Sequence, residues 1–275
     1  IHTKITLPNP HRQRARHSKL SLSEIATICI VFHLGHFRNF KAFYNEYVCT
    51  DLRGYFPNLV SYTRFVELKK QVIPYLFLFL QAHPGQETGH YFVDSTKLPI
   101  CHNRRIYRHK TFDGIAQRGK SSVGWFYGFK LHLVINEQGE IMSFIITPGN
   151  VDDRKPLLHL FENLTGKGFG DRGYIGKKWT EKLKEIGVKF MTSVKKNMKK
   201  SPITKQEKQA LSKRGIVETV IDQLKNICQI DHTRHRSFDN FITNTLSALT
   251  AYFFKPRKPN VNLNAVDNQS KIVKM

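Results

Sequence analysis

The sequence predicts an α/β protein: a mixed sheet with flanking helices, preceded by a helical N-terminal module. Three observations carry this. Residues 20–82 place apolar side chains at helical spacing, as in Phe37, Phe40, Tyr44 and Tyr47. The pattern then changes, and 91–95, 123–136 and 141–147 read as strands rich in aromatic and β-branched residues. The last two are joined by the turn Glu137-Gln138-Gly139-Glu140. Beyond residue 150, helices and strands alternate, the pattern of a sheet covered on its faces by helices.

With 275 residues, 40% hydrophobic and 12% aromatic, the chain can bury a sizeable core. Its formal net charge is +23, from 44 Lys and Arg against 21 Asp and Glu. Such an excess repels itself in a compact fold and calls for a polyanionic partner, with nucleic acid the first candidate. A membrane is disfavoured, because no apolar run approaches the ~20 residues of a span. The most apolar window, 72–82, is interrupted by Pro74 and reads as a buried core helix. Cys29, Cys49, Cys101 and Cys228 form no Cys-x-x-Cys pair, which argues against structural zinc. Without a disulfide framework or a secretory signal, a reducing cytoplasm is expected. The chain opens on Ile1, so further native N-terminal residues are expected.

Residues 1–19 form a basic arm with His11, Arg12, Arg14, Arg16, His17 and Lys19. Ser21 and Glu24 have capping-box spacing at the start of an apolar helix. A second helix is expected over 62–73, with Arg64, Lys69 and Lys70 on its polar side. The 20–82 module is either a helix-turn-helix reading DNA through 61–73 or a packed bundle without base contacts. A linker at 83–89 leads into the second domain, 90–254. Within it, 102–122 reads as a long basic loop carrying Arg104, Arg105, Arg108, Lys110, Arg118 and Lys120. In the strand 123–136, Lys130 and His132 alternate with Phe129, Leu131 and Leu133, giving one polar and one apolar face. Asp152 and Asp153 are expected to cap a helix reaching about residue 163. A short strand ends at Gly170-Asp171, followed by a helix over 177–186, a strand over 188–194 and a basic loop over 195–200. Residues 255–275 read as a disordered basic tail.

Three acids remain to be weighed. Asp94 lies in the strand Tyr91-Phe92-Val93-Asp94-Ser95-Thr96. A carboxylate there is costly unless paired or metal-bound, although taken alone it reads first as a strand-end Asp bonded to the next turn. Asp171, in Gly-Asp-Arg-Gly, is by itself a turn residue. It also ends a strand expected beside 91–95, where open sheets place ligands. Residues 206–228 read as one helix. On its wheel, Ile216, Val217, Val220, Leu224, Ile227 and Cys228 gather on one side, with Arg214, Glu218 and Lys225 in a row off that face. Alone, Glu218 pairs with Arg214 one turn back for a few tenths of a kcal/mol. Together, the three carboxylates converge beside a basic surface, and hard oxygen ligands of this kind suit Mg²⁺ or Mn²⁺. Two such ions ~4 Å apart can serve the attacking and leaving oxygens of a phosphodiester.

Five motifs occur in a telling order: Val93-Asp94-Ser95-Thr96, Gly128-Phe129-Lys130-Leu131-His132, Pro148-Gly149-Asn150-Val151-Asp152-Asp153, Gly170-Asp171-Arg172-Gly173-Tyr174, and Arg214-x3-Glu218-x6-Lys225. In these the chain resembles a bacterial insertion-sequence transposase of the DDE type with an RNase H-like catalytic domain. The 94–176 segment is most similar to the insertion-sequence nine-eight-two family. The last motif resembles a tyrosine-arginine-glutamate-lysine signature, with Leu211 where tyrosine is usual. The resemblance implies that Asp94, Asp171 and Glu218 bind two Mg²⁺ (or Mn²⁺) ions. It implies hydrolysis at the element's ends, then attack of the freed 3′-hydroxyl on target DNA. Arg214 and Lys225 would contact phosphates or orient Glu218, and Lys130 and His132 would line the cleft. The 102–122 loop and the arm would hold DNA outside it. The implied partners are double-stranded terminal repeats and target DNA, bound by a homodimer or larger assembly at the bacterial nucleoid. A non-catalytic DNA-binding regulator, a nuclease that cuts without joining, and an inactive transposase remnant are the alternatives.

Overall fold

The computed structural model describes residues 18–35, 37–121, 124–193, 203–231 and 235–263. The expectations for most of the basic arm, the 195–200 loop and the tail beyond 263 lie outside the described residues.

Both halves of the expected capping box start α1 (Leu22–Leu34): Glu24 N–H donates to Ser21 Oγ, and Ser21 N–H donates to the Glu24 carboxylate at 2.7 Å. A short α2 (Phe40–Ala42) runs on as π-helix over Phe43–Val48. Ser61 caps α3 (Tyr62–Leu68), which gives way to a 3-10 turn, Lys69–Val72, before α4 (Ile73–Ala82). Pro74 sits in the first turn of α4, where its missing N–H leaves no bond unmade. The expected 62–73 helix therefore breaks at Lys69. That residue is not on a polar face: it is 7% exposed, with its ammonium 4.9 Å from the Phe40 ring centre. Packing of Phe65, Leu68 and Val72 sets the rotation and carries Lys69 inward. Residues 72–82 are not a wholly buried helix either. Leu76 and Leu80 are buried, while Tyr75 and Leu78 face outward. α1 and α4 pack against α9 (Phe238–Phe253), so one apolar core runs from the N-terminal helices to the sheet.

Among the described residues the sheet has six strands: β1 (His90–Cys101), β2 (Gln117–Ser121), β3 (Gly124–Asn136), β4 (Ile141–Pro148), β5 (Gly166–Gly170) and β6 (Val188–Thr192). Their order is β2-β3-β1-β5-β6, and β4 joins β3 on the same edge as β2, end to end with it. β3 is antiparallel to β1, β2 and β4, whereas β1, β5 and β6 run parallel. On β1, Phe92, Leu98 and Ile100 face the core shared with α9, and Tyr91 and Val93 face the smaller core on the other side. Asp94 belongs to the first of these faces by the two-residue period of a strand.

Four expectations change here. The 102–122 stretch is not one loop: it holds a 3-10 turn, Asn103–Arg108, and the edge strand β2. Its cations hid the strand, yet Gly119 between them is buried so tightly that a Cβ would lie 2.2 Å from Gly149 O. Asp152 and Asp153 cap no helix. The only helical turn there, α5 (Leu157–Leu160), starts at Pro156, while Asp152 pairs with Arg154 and Asp153 with Lys130. The 206–228 helix is two helices, α7 (Lys205–Ser212) and α8 (Gly215–Asn226), divided at Lys213-Arg214. α6 (Lys177–Glu185) follows the sequence reading closely. Residues 255–263 are anchored rather than loose, with Lys258 Nζ donating to Phe253 O and Val261 N to Glu137 O.

α7 is held by one buried acid. Glu207, 3% exposed, accepts from Lys189 Nζ at 2.6 Å and from Thr204 N at 2.9 Å. The Lys189 hydrogen bond foremost holds its carboxyl down at about 2. Its contribution is therefore complete above about pH 4.5 and is lost as pH falls through about 2. Glu207→Gln should cost about 1–3 kcal/mol at pH 7, read by urea denaturation, because Lys189 loses its charged acceptor.

Candidate active site

Phe92 of β1 pairs with Phe169 of the parallel β5. Two residues beyond that pair stand Asp94, within β1, and Asp171, the first residue past the end of β5. Gly170 makes this possible: a Cβ there would lie 2.7 Å from the Phe190 ring and 3.2 Å from Val93. Asp171 then caps the 3-10 turn Arg172–Tyr174, accepting from Arg172 N at 2.5 Å. α8 packs against β1 and β3 through Ile216, Val217, Val220, Ile221 and Leu224, the face the wheel assigns to the core. That leaves Glu218 in the first turn of α8, 60% exposed, where the helix dipole favours a negative charge.

Arg214 joins two of the acids. Its guanidinium lies 3.5 Å from Asp171 and 3.6 Å from Glu218. At the N-terminal end of α8 a cation opposes the dipole, so these carboxylates offset its cost. Among the described residues, Asp94 has no such cation beside it. It accepts from Ser95 N at 2.7 Å, and its carboxyl is pushed up to about 6. Burial is the main cause, followed by the negative charges of Glu218, Asp171 and Asp153. All three expected acids thus share one electrostatic field, and a fourth, Asp153, adds to it.

Asp153 was read from sequence as a helix cap. Here it accepts from Lys130 Nζ at 2.9 Å, and that ammonium also donates to Val151 O. Lys130 is consequently turned toward the acids' surroundings rather than toward solvent, only 12% exposed. His132 is fully buried and offers no surface to DNA. Its Nε2 meets Thr147 Oγ1 at 2.8 Å, and its Nδ1, 3.9 Å from Asp153, has no hydrogen-bond partner. Burial lowers its pKa to about 4, so the ring is neutral at pH 7. Sequence reasoning also missed Tyr174. Its phenol is buried beside Ser95 and Asp94 with no well-formed hydrogen bond. Burial foremost, then the charge of Asp94, raises it well above the ordinary tyrosine value. Leu211, where the resembling signature has tyrosine, packs against the apolar core.

The remaining basic residues lie away from the acids. Lys225 is two helical turns beyond Glu218 and is 3.8 Å from Asp231. Arg104, Arg105, Arg108, Lys110, Arg118 and Lys120 are all exposed. Among the described residues, no three His, Cys, Asp or Glu side chains stand close enough to hold an ion as placed. The donor chemistry nevertheless fits a hard divalent cation: oxygen ligands only, with one carboxylate whose ionised form is opposed by burial and by its neighbours.

The family described as "Transposase DDE domain" matches residues 84–238, more than half of the chain. The match spans β1, β5 and α8, and with them Asp94, Asp171, Arg214 and Glu218. The chain belongs to this family, and so to enzymes of the transposase and nuclease kind. No curated protein matches it. Among the described residues no helix is long and apolar enough to cross a membrane.

Because its carboxyl is raised, Asp94 withdraws stability as pH climbs from about 4 through about 6 and the fold must hold the anion. Asp94→Asn keeps the acceptor for Ser95 N and removes the charge. It should stabilise the protein at pH 7.5 by on the order of 1–2 kcal/mol after screening, read as a higher Tm, with the difference closing below about pH 4.

Proposed function

We propose that this chain is the transposase of a bacterial insertion sequence, most similar to the nine-eight-two family, with an RNase H-like catalytic domain. The strand order supports that domain: β4-β3-β1 antiparallel, then β5 and β6 parallel to β1, with α8 over the β1 face that carries Asp94. The observation that supports the function is Arg214 lying between Asp171 and Glu218, with the buried Asp94 on the strand beside β5 feeling the charge of both acids.

In this reading Asp94, Asp171 and Glu218 would hold two divalent ions, Mg²⁺ or Mn²⁺, whose chemistry when bound would be to offset charge developing on a phosphodiester. Asp94 must be ionised to take part, so protons compete with the ions for its carboxylate. Glu218 and Asp171, half exposed or more, have the rotamer freedom to close toward Asp94. Arg214 then releases its carboxylates and turns to a DNA phosphate, a contact its fork geometry suits. Lys130 holds Asp153 in place and tempers its repulsion of Asp94. Water first attacks at the element's end, and the freed 3′-hydroxyl then attacks target DNA. The exposed cations of 104–120 and Lys225 bind the backbone outside the cleft, and the excess of positive charge steers duplex DNA to two or more protomers.

Asp94→Asn, Asp171→Asn and Glu218→Gln should each abolish Mg²⁺-dependent cleavage of duplexes carrying the element's ends. Duplex affinity should stay within about twofold, because phosphate contacts made elsewhere dominate it. Joining of a pre-cleaved end into a supercoiled plasmid should vanish in the same variants. Full cleavage by any one would remove that acid from the site, and cutting without joining by the parent protein would identify a nuclease. Arg214→Ala should weaken duplex binding and lower the salt slope by about 1; an unchanged slope would leave Arg214 a structural role only.

A further inference from the structure

The hairpin of β2 and β3 ends the sheet opposite β6, and one of its faces carries aromatic rings that the core does not use. Trp125 is 62% exposed and Tyr107, on the neighbouring 3-10 turn, is 87% exposed. Each ring has a cation over it: Lys120 Nζ is 5.9 Å from the Trp125 ring centre, and the Arg118 guanidinium is 5.4 Å from that of Tyr107. Lys120 and Trp125 are cross-strand partners, so they share a face. Arg118 lies two residues along β2 on the same face, ~7 Å away. The 3-10 turn is tied to the strand by Asn103 Nδ2, which donates to Trp125 O at 2.8 Å. Below the rings the platform is firm: Tyr127 is buried with its hydroxyl donating to Phe112 O, and Phe126 and Gly119 are buried. Arg104, Arg105 and Arg108 surround it, all exposed.

Large exposed rings cost solvation, and a structural role would bury them. Cations alone would serve a duplex backbone. Rings interleaved with cations suit a strand whose bases are unpaired, since every base presents a π-face and every nucleotide a phosphate. We propose that Tyr107 and Trp125 form a stacking platform for unpaired bases of single-stranded DNA, with Arg118 and Lys120 holding the adjoining phosphates. This rests on the reading of the chain as a DNA-processing enzyme and specifies a form of DNA it holds beyond the cleft. Duplex ends that open before or after cutting supply such a strand.

The test uses the full chain in EDTA, with labelled oligothymidylate and a duplex of unrelated sequence, followed by fluorescence anisotropy. The Tyr107→Ala/Trp125→Ala double variant should lose about tenfold or more in single-strand affinity and stay within about twofold on the duplex. Tyr107→Phe/Trp125→Phe, which keeps both rings, should bind as the parent does. In a Trp179→Phe background the sole remaining indole, Trp125, should be quenched by the single strand and not by the duplex. Unchanged single-strand affinity in the alanine variant, or equal loss on both forms of DNA, would overturn the platform. So would self-association that the alanine variant abolishes while single-strand affinity stays the same. The assay involves neither metal nor cleavage. A chain that binds the single strand through these rings but never cuts would refute the transposase and leave the platform standing.

Discussion

Mutual repulsion among carboxylates is the constraint around which this molecule is arranged. Asp94, Asp171, Glu218 and Asp153 share one field, and Asp94 bears it half-buried and, among the described residues, without a counter-cation. The fold tolerates the group because each other acid is restrained separately. Arg214 spans Asp171 and Glu218, Lys130 fixes Asp153, and the first turn of α8 favours Glu218. What remains uncompensated is concentrated on Asp94, the deepest of them. A divalent cation would relieve that charge, which is what the proposed phosphodiester chemistry requires of the site.

The rest of the structure serves to hold these groups at fixed separations. The parallel pairing of β1 with β5 brings the end of β5, with Asp171 just beyond it, beside the strand that carries Asp94, and the absent side chain of Gly170 lets β5 pass close to Val93 and Phe190. The apolar face of α8, pressed on β1 and β3, sets the height of Glu218. The break before Gly215 matters as much, because it puts Arg214 at a helix start, where its side chain can reach across to Asp171. The buried Glu207 pair anchors α7 on the other side of that break. The positive excess lies outside this arrangement, on surfaces such as the β2 edge, where it meets solvent and is free to meet phosphate.

Reading the sequence succeeded where a local pattern was strong. The Ser21–Glu24 box, the β3–β4 hairpin and the apolar face of α8 all follow from spacing alone. It failed where two patterns competed. Polar side chains on an edge strand disguised β2 as a loop. A continuous helical wheel ran across Lys213-Arg214, since a wheel has no term for a turn. Lys69 was placed on a polar face, yet a cluster of Phe40, Phe65 and Val72 draws it inward. His132 was placed in a cleft by strand alternation, which distinguishes two faces but not whether a face is covered.

The sequence by itself determined the class of the fold, the basic character of the chain and its membership of a transposase family, and it nominated the three candidate acids, because periodicity, composition and motif order are local or summed properties. Only the tertiary structure decided how those acids are balanced. Arg214 joins Asp171 to Glu218 across 43 and 4 residues of chain, Lys130 reaches Asp153, and the phenol of Tyr174 lies beside Asp94. Such pairings depend on strand register and helix docking, which bring distant residues within a few ångströms, and no spacing in the sequence records them.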